Sequence, residues 1–234
     1  MSLTDQFPVM RRWPPQRDDV IQLYTLPTPN GVKVSILLEE LNLPYDAHRI
    51  DISDAALDQM TPEYLALNPN NKIPAIIDPD GPDGQPMGLW ESGAILVYLA
   101  DKAGRFLPAA GAERWQVIQW VMWQMGGLGP MLGQLGFFHR YKGREIEDKR
   151  PRDRYVAEAK RLLGVLDRQL EGRDWIAGDY SIADIACGGW VRNLRTGYDA
   201  ADLVGLDDFA NVTAWQTRWL ARPAVQRGLT VGAA

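Results

Sequence analysis

The 234-residue chain reads as an α/β unit followed by an all-helical one. Three observations predict this. Between Val20 and Trp90 the apolar pattern runs strand, helix, strand and then a β-hairpin. Gly104, Pro108 and Gly111 break that pattern over residues 104–111, as an interdomain linker does. Beyond Gly111 the apolar repeats have helical spacing.

Taken in order, residues 1–19 carry Pro8, Pro14, Pro15, Arg11 and Arg12 with no periodicity. That predicts a flexible N-terminal arm, with a strap over a second subunit as the functional alternative. Residues 20–103 form the first folded unit. Val20 to Leu26 is a short strand of alternating character, and Pro27-Thr28-Pro29-Asn30-Gly31 turns the chain into a helix. Its stripe is Val34, Leu37, Leu38 and Leu41, and Pro44 lies just past its end. Tyr45 to Ile50 completes a βαβ unit. An irregular segment carrying Gln59 follows, with a short helix from Pro62. Ala75 to Asp78 and Met87 to Trp90 flank the turn-rich Pro79 to Pro86 and read as an antiparallel hairpin. A helix from Glu91 to Lys102 closes the unit.

Residues 112–234 are expected to be helical throughout. Trp115, Gln119, Met122 and Trp123 recur at helical spacing and read as core aromatics. Gly126-Gly127-Leu128-Gly129-Pro130 then interrupts the run. It follows a helix and lacks phosphate-loop spacing, so it is expected to kink the helix and leave room beside it, which Gln124 would face. Arg154 opens the next helix, whose stripe is Tyr155, Ala159, Leu162, Leu163, Leu166 and Leu170. Ser181-Ile182-Ala183-Asp184 is a capping box with Asp in place of Glu. A final helix with Val212, Trp215 and Trp219 stops before Pro223.

Composition narrows the function. A hydrophobic fraction of 46% is globular, and a net charge of −5 without a polybasic stripe argues against nucleic acid and anionic membrane as partners. The apolar run from Ala94 to Ala100 falls far short of the roughly 20 residues that span a bilayer. The first twenty residues lack the apolar core of a secretory signal, so a cytoplasmic protein is expected. Cys187 is the only cysteine, which rules out an internal disulfide and a C-x-x-C pair. It sits in an apolar helix, where a thiol is inert. Thiol chemistry must therefore borrow its sulfur. His48 and His139 lack ligand-like neighbours, so no metal site is expected.

Two binding devices stand out between Asn68 and Ala100. Lys72-Ile73-Pro74 runs from polar residues into a strand, where a cis Ile73-Pro74 bond would turn the Ile73 N–H and C=O outward for an extended peptide. Glu91 and Ser92 set a carboxylate, a hydroxyl and helix-terminal amides in one place. That combination suits an amino acid head group. Each alone reads first as an ordinary turn or a serine cap; the pairing favours a site. Thr28 and Asn30 lie at another helix N-terminus, where donors and the dipole favour a thiolate, or where they simply cap.

Asn71 to Ile76 followed by Trp90 to Leu99 resembles the glutathione-binding half of the soluble glutathione transferases. Thr28 to Val34, Trp123 to Gln134 and Tyr180 to Cys187 resemble the bacterial Nu-class branch, which is related to the fungal Ure2-type proteins. The resemblance covers nearly the whole chain after Asp19. It implies an α/β thioredoxin-like N-terminal domain followed by an all-α helical-bundle C-terminal domain. It also implies that Thr28 and Asn30 hold the glutathione sulfur, and that Gln59, Lys72, Ile73, Pro74, Glu91, Ser92, Gln124 and Arg154 bind glutathione. The implied activity is glutathione-dependent disulfide-bond reduction, with one or two glutathione molecules or oxidised glutathione in the site. The alternatives are a transferase conjugating small electrophiles and a non-catalytic interaction protein. A homodimer is the expected assembly.

Overall fold

The computed structural model describes residues 2–233. Its first sheet strand, β1 (Ile21–Thr25), is buried at every position, so the expected alternation is absent. The reason is its place: in the order β2-β1-β3-β4 it is an inner strand, covered on both faces. β2 (Tyr45–Arg49) pairs with it in parallel, Ile21 opposite Tyr45 and Thr25 opposite Arg49. β3 (Ala75–Asp78) pairs with it antiparallel. β4 (Met87–Trp90) pairs antiparallel with β3, completing the hairpin. Between β1 and β2 runs α3 (Gly31–Leu41), which packs beside α5 (Ser92–Ala103). The Ile73–Pro74 bond is cis.

The N-terminal segment departs from the flexible arm expected of it. It forms α1 (Leu3–Gln6) and α2 (Val9–Arg12), and Val9 and Met10 are buried in one cluster with Tyr24, Ile50, Tyr64 and Ile77. Trp13 meets Tyr24 and Tyr64 edge-on, with centroids 6.5 and 6.4 Å apart. Beyond it, the Gln16 and Arg17 N–H groups donate to Asp46 Oδ2 at 2.8 and 2.7 Å. The prolines bound the short helix rather than dissolving it, and Val9, Met10 and Trp13 supply the apolar face. The segment also covers α4 (Pro62–Leu65).

By contacts the chain divides into Met1–Ala103 with Ala224–Ala234, and Gly104–Pro223. The second unit was expected to run to the end, so residues 224–234 are a difference. The helix carrying Val212, Trp215 and Trp219 stops before Pro223 as expected, but it is not the last, because Pro223 opens a further one. α11 (Ala210–Leu220) is followed by α12 (Pro223–Gly228), proline being at ease in a first helical turn. α12 returns to α3. Ser35 Oγ donates to the Gly228 carbonyl at 2.6 Å, and Arg227 Nε to Glu39 Oε2 at 2.6 Å. Gly228 lies so close to Ile36 that a Cβ would stand 2.5 Å from its Cα.

The helical unit holds α6 (Gly111–Trp123), α7 (Gly129–His139), α8 (Arg150–Gln169), α9 (Ile182–Thr196), α10 (Ala201–Val204) and α11. A single π turn over Gln124–Leu128 joins α6 to α7 where the glycine cluster was expected to kink the helix. The aromatic stripe of α6 is not core: Trp115 is 67% and Met122 54% exposed. The buried stripe is instead Val117, Val121, Gln124 and Leu128, which shares the helical period but lies on the opposite side. α8 starts at Arg150, a turn before Arg154, because Pro151 fits its first turn. α9 is the centre of the unit. Its capping box is present, with Ala183 N donating to Ser181 Oγ and Ser181 N to Asp184 Oδ2. The other carboxylate oxygen accepts from Ile176 N at 3.0 Å and Trp215 Nε1 at 2.9 Å.

Candidate functional site

Two cavities in the first unit, of about 270 and 240 Å³, share Asn30, Lys72 and Ile73 in their walls. The first is completed by Thr28, Ile52, Gln59 and Asn71. The second is completed by Asn68, Asn70, Pro74, Glu91 and Ser92. Every residue singled out in the first unit from the sequence therefore borders this continuous hollow. Gln124 and Arg154 belong to the helical unit and line neither cavity. Gln124 is buried in the π turn, and Arg154 is exposed in the second turn of α8.

Thr28 follows the end of β1, where the chain must turn sharply into α3. Its carbonyl accepts from Val32 N at 3.0 Å and its Oγ1 from Gly31 N at 3.2 Å. The capping alternative therefore holds for Thr28. Since the oxygen accepts there, its hydroxyl proton remains to be donated elsewhere. Asn30 makes no cap hydrogen bond to its own helix. Gly31 has no substitute, because a Cβ would fall 1.9 Å from the Leu26 carbonyl oxygen.

The loop before β3 is fixed from below. Buried Tyr64 donates through Oη to the Lys72 carbonyl at 2.7 Å, and Asn68 Nδ2 to the same oxygen at 2.6 Å. Burial holds the Tyr64 phenol protonated, well above its ordinary value, so it serves as a permanent donor. Asn68 Oδ1 in turn accepts from Asn70 N at 2.9 Å. These bonds fix the backbone immediately before Ile73. Gln59 reaches the cavity from a 3₁₀ turn, Asp58–Met60. Asp58 braces that turn, accepting from Asp51 N at 3.0 Å and from Arg12 at 3.1 Å. Gln59 Oε1 is buried with no hydrogen-bond partner among the described residues. It is an acceptor facing a hollow.

At the far end, Glu91 adopts a left-handed conformation, φ 70°, and its carbonyl receives Ile95 N at 2.9 Å. The first amides of α5 then open at the cavity beside Ser92. Lys33 Nζ donates to Ser92 Oγ at 3.1 Å. Lys33 is fully buried, at 0% exposure. Sequence reasoning gave no role to Lys33, Ile52, Asn68, Asn70 or Asn71. The asparagines lay inside the stretch already marked as a site, whereas Lys33 looked like any lysine on the polar side of a helix.

The set offers two helix N-termini, the Ile73 residue beside a cis proline, a carboxylate and an ammonium around one hollow. Among the described residues no group of His, Cys, Asp and Glu could hold a metal ion. No helix there is long and apolar enough to cross a membrane.

Residues 28–102 match the N-terminal domain of glutathione S-transferase, and residues 134–223 match its C-terminal domain. The chain is 44% identical over 212 residues to the disulfide-bond oxidoreductase YfcG of Escherichia coli, covering 90% of this chain and 94% of that protein. A glutathione transferase family member from Pseudomonas fluorescens, solved with two glutathione bound, is 60% identical with a TM-score of 0.94. That match covers 96% of this chain and 99% of that one. The glutathione transferase from Pseudomonas putida, solved with one glutathione disulfide per subunit, is 59% identical with a TM-score of 0.95, covering 98% of each chain. With this fold, this hollow and these relatives, the chain belongs to the glutathione S-transferase family.

Proposed function

We propose that the protein is a glutathione-dependent disulfide-bond oxidoreductase that works through the thiolate of bound glutathione. The observation that carries this is the state of its own sulfur. Cys187, the only cysteine, is 0% exposed inside α9, so the nucleophile must arrive with a ligand. In this reading the ligand sulfur sits at the N-terminus of α3, where the Thr28 hydroxyl and the Asn30 amide donate to it and the helix dipole favours its anion. The peptide edge of Ile73, beside Pro74, pairs with the glutathione backbone, and the orphan Gln59 oxygen accepts one of its N–H groups. Glu91 holds the ammonium while Ser92 and the α5 amides hold the neighbouring carboxylate. Lys72 supplies a cation for the other carboxylate.

The chemistry then balances with two glutathiones. The bound thiolate attacks one sulfur of a small disulfide, forming a mixed disulfide and releasing the other half as a thiolate. A second glutathione thiolate attacks the mixed disulfide, giving oxidised glutathione and the second thiol product. Two electrons pass from two glutathiones to one disulfide. The relatives support the reading, since YfcG is named for disulfide-bond oxidoreduction and the two Pseudomonas proteins bind glutathione or its disulfide. A cytoplasmic homodimer, with residues 20–103 as the glutathione-binding domain, completes the proposal.

The test replaces the only protein sulfur. Cys187→Ala should keep glutathione-dependent reduction of hydroxyethyl disulfide near the parental rate. Loss of turnover in a correctly folded variant would overturn the mechanism. Conjugation of an aryl halide without disulfide reduction would point to the conjugating alternative, and glutathione binding without either activity to an interaction protein.

A further inference from the structure

The α9–α11 seam encloses a cavity of about 310 Å³ that lies wholly within the helical unit. Donors there outnumber acceptors. Arg192, on α9, is partly buried and makes no ion pair among the described residues; burial alone pulls its guanidinium below the ordinary value. Opposite it on α11, Gln216 is only 6% exposed, and its Nε2 is buried with no hydrogen-bond partner among the described residues. Orphan buried donors are rare because each forfeits its hydration without replacement. One such donor in the cavity wall, beside an unpaired guanidinium, indicates an acceptor that the chain itself does not supply.

The remaining lining residues restrict what that acceptor is. Arg195 is already paired with Asp207, so the cavity carries one uncompensated positive charge, with a carboxylate close by. A dianion would set its second charge against Asp207. The threonine hydroxyls bond back to their own helix, Thr213 Oγ1 to the Ala210 carbonyl and Thr217 Oγ1 to the Thr213 carbonyl. They do not add donors. Leu220 supplies an apolar wall. We propose that this cavity binds a small organic monocarboxylate, its two oxygens received by the Arg192 fork and the Gln216 amide and its apolar body lying toward Leu220. A guanidinium fork matches a carboxylate in both planarity and charge. The inference is independent of the glutathione reading, since no residue is shared.

Isothermal titration of the full chain with benzoate, benzamide and inorganic phosphate tests it. Benzoate should bind once per chain, and the neutral isostere benzamide and phosphate should each bind at least about tenfold more weakly. Arg192→Gln should weaken benzoate by about ten- to hundredfold, leaving glutathione-dependent activity unchanged. Gln216→Met should weaken it too, and provides the answer if the arginine variant does not fold. Saturating glutathione should leave benzoate binding intact. The proposal falls if benzoate does not bind, if it is displaced by glutathione, if phosphate binds more tightly, or if folded Arg192→Gln and Gln216→Met bind it like the parent.

Discussion

Replacing Asp184 by Asn should change how stability depends on pH, and in a direction that distinguishes two opposing effects. The carboxylate is buried at the head of α9 and accepts from Ile176 N, Ser181 N and Trp215 Nε1, all of which favour its ionised form. Burial opposes them and prevails, pushing the group from 3.8 up to about 6. A native value above the unfolded one means that the stabilising contribution is complete below about pH 4 and is lost as pH rises through about 6. The full loss is about 3 kcal/mol, of which about 2 kcal/mol falls between about pH 4.5 and pH 7.5. Asn keeps the Oδ1 contacts but turns an amine toward Ser181 N, a constant cost of about 1–3 kcal/mol. Urea unfolding of both proteins across that range should therefore show the wild-type advantage shrinking by about 2 kcal/mol toward pH 7.5. An advantage that grows with pH would show that the three donors outweigh burial, and the reasoning would be wrong.

Glu91→Ala should raise KM for glutathione by about ten- to hundredfold with kcat nearly unchanged, because an ammonium partner is lost; equal KM values would remove Glu91 from the site. Thr28→Val and Asn30→Ala should each raise the thiol pKa of bound glutathione by about one unit and shift the pH–rate profile to match. Thr28→Ser should not, and coincident profiles for all would put the sulfur elsewhere. Met10→Ala should cost about 2–5 kcal/mol in chemical unfolding, whereas a peripheral arm would lose less than about 0.5 kcal/mol.

What could be read from the sequence was what is encoded locally. The strands, the hairpin, the Ile73–Pro74 turn and the Ser181–Asp184 cap each depend on residues a few positions apart, and seven of the eight cavity residues named in the first unit sit in three local motifs, Gln59 standing apart from them. What stayed hidden depends on distant partners. Every residue of α3 except Glu39 is buried, because α5 and α12 cover sides that the Val34–Leu41 stripe leaves polar. Lys33 is buried by a residue 59 positions away, and Ser35 by one 193 away. The N-terminal segment failed for a related reason. Its prolines were weighed, while Val9, Met10 and Trp13 had no visible surface to pack on until β1 and α4 were assembled. On α6 the tryptophans were the larger residues, but the valines on the opposite side of the helix face the core.

The return of α12 to α3 gives the chain an order of assembly. Residues 104–223 form an insertion in a first unit whose last piece, residues 224–234, lies beyond it. During synthesis the helical unit emerges entire before that piece exists. Until then the Ile36 face of α3 stays open, and neither the Ser35 bond nor the Arg227–Glu39 pair can form. The nascent chain must carry an unfinished α/β unit through synthesis of the whole helical one, and a fragment ending at residue 103 would lack the closing helix however well its sheet formed.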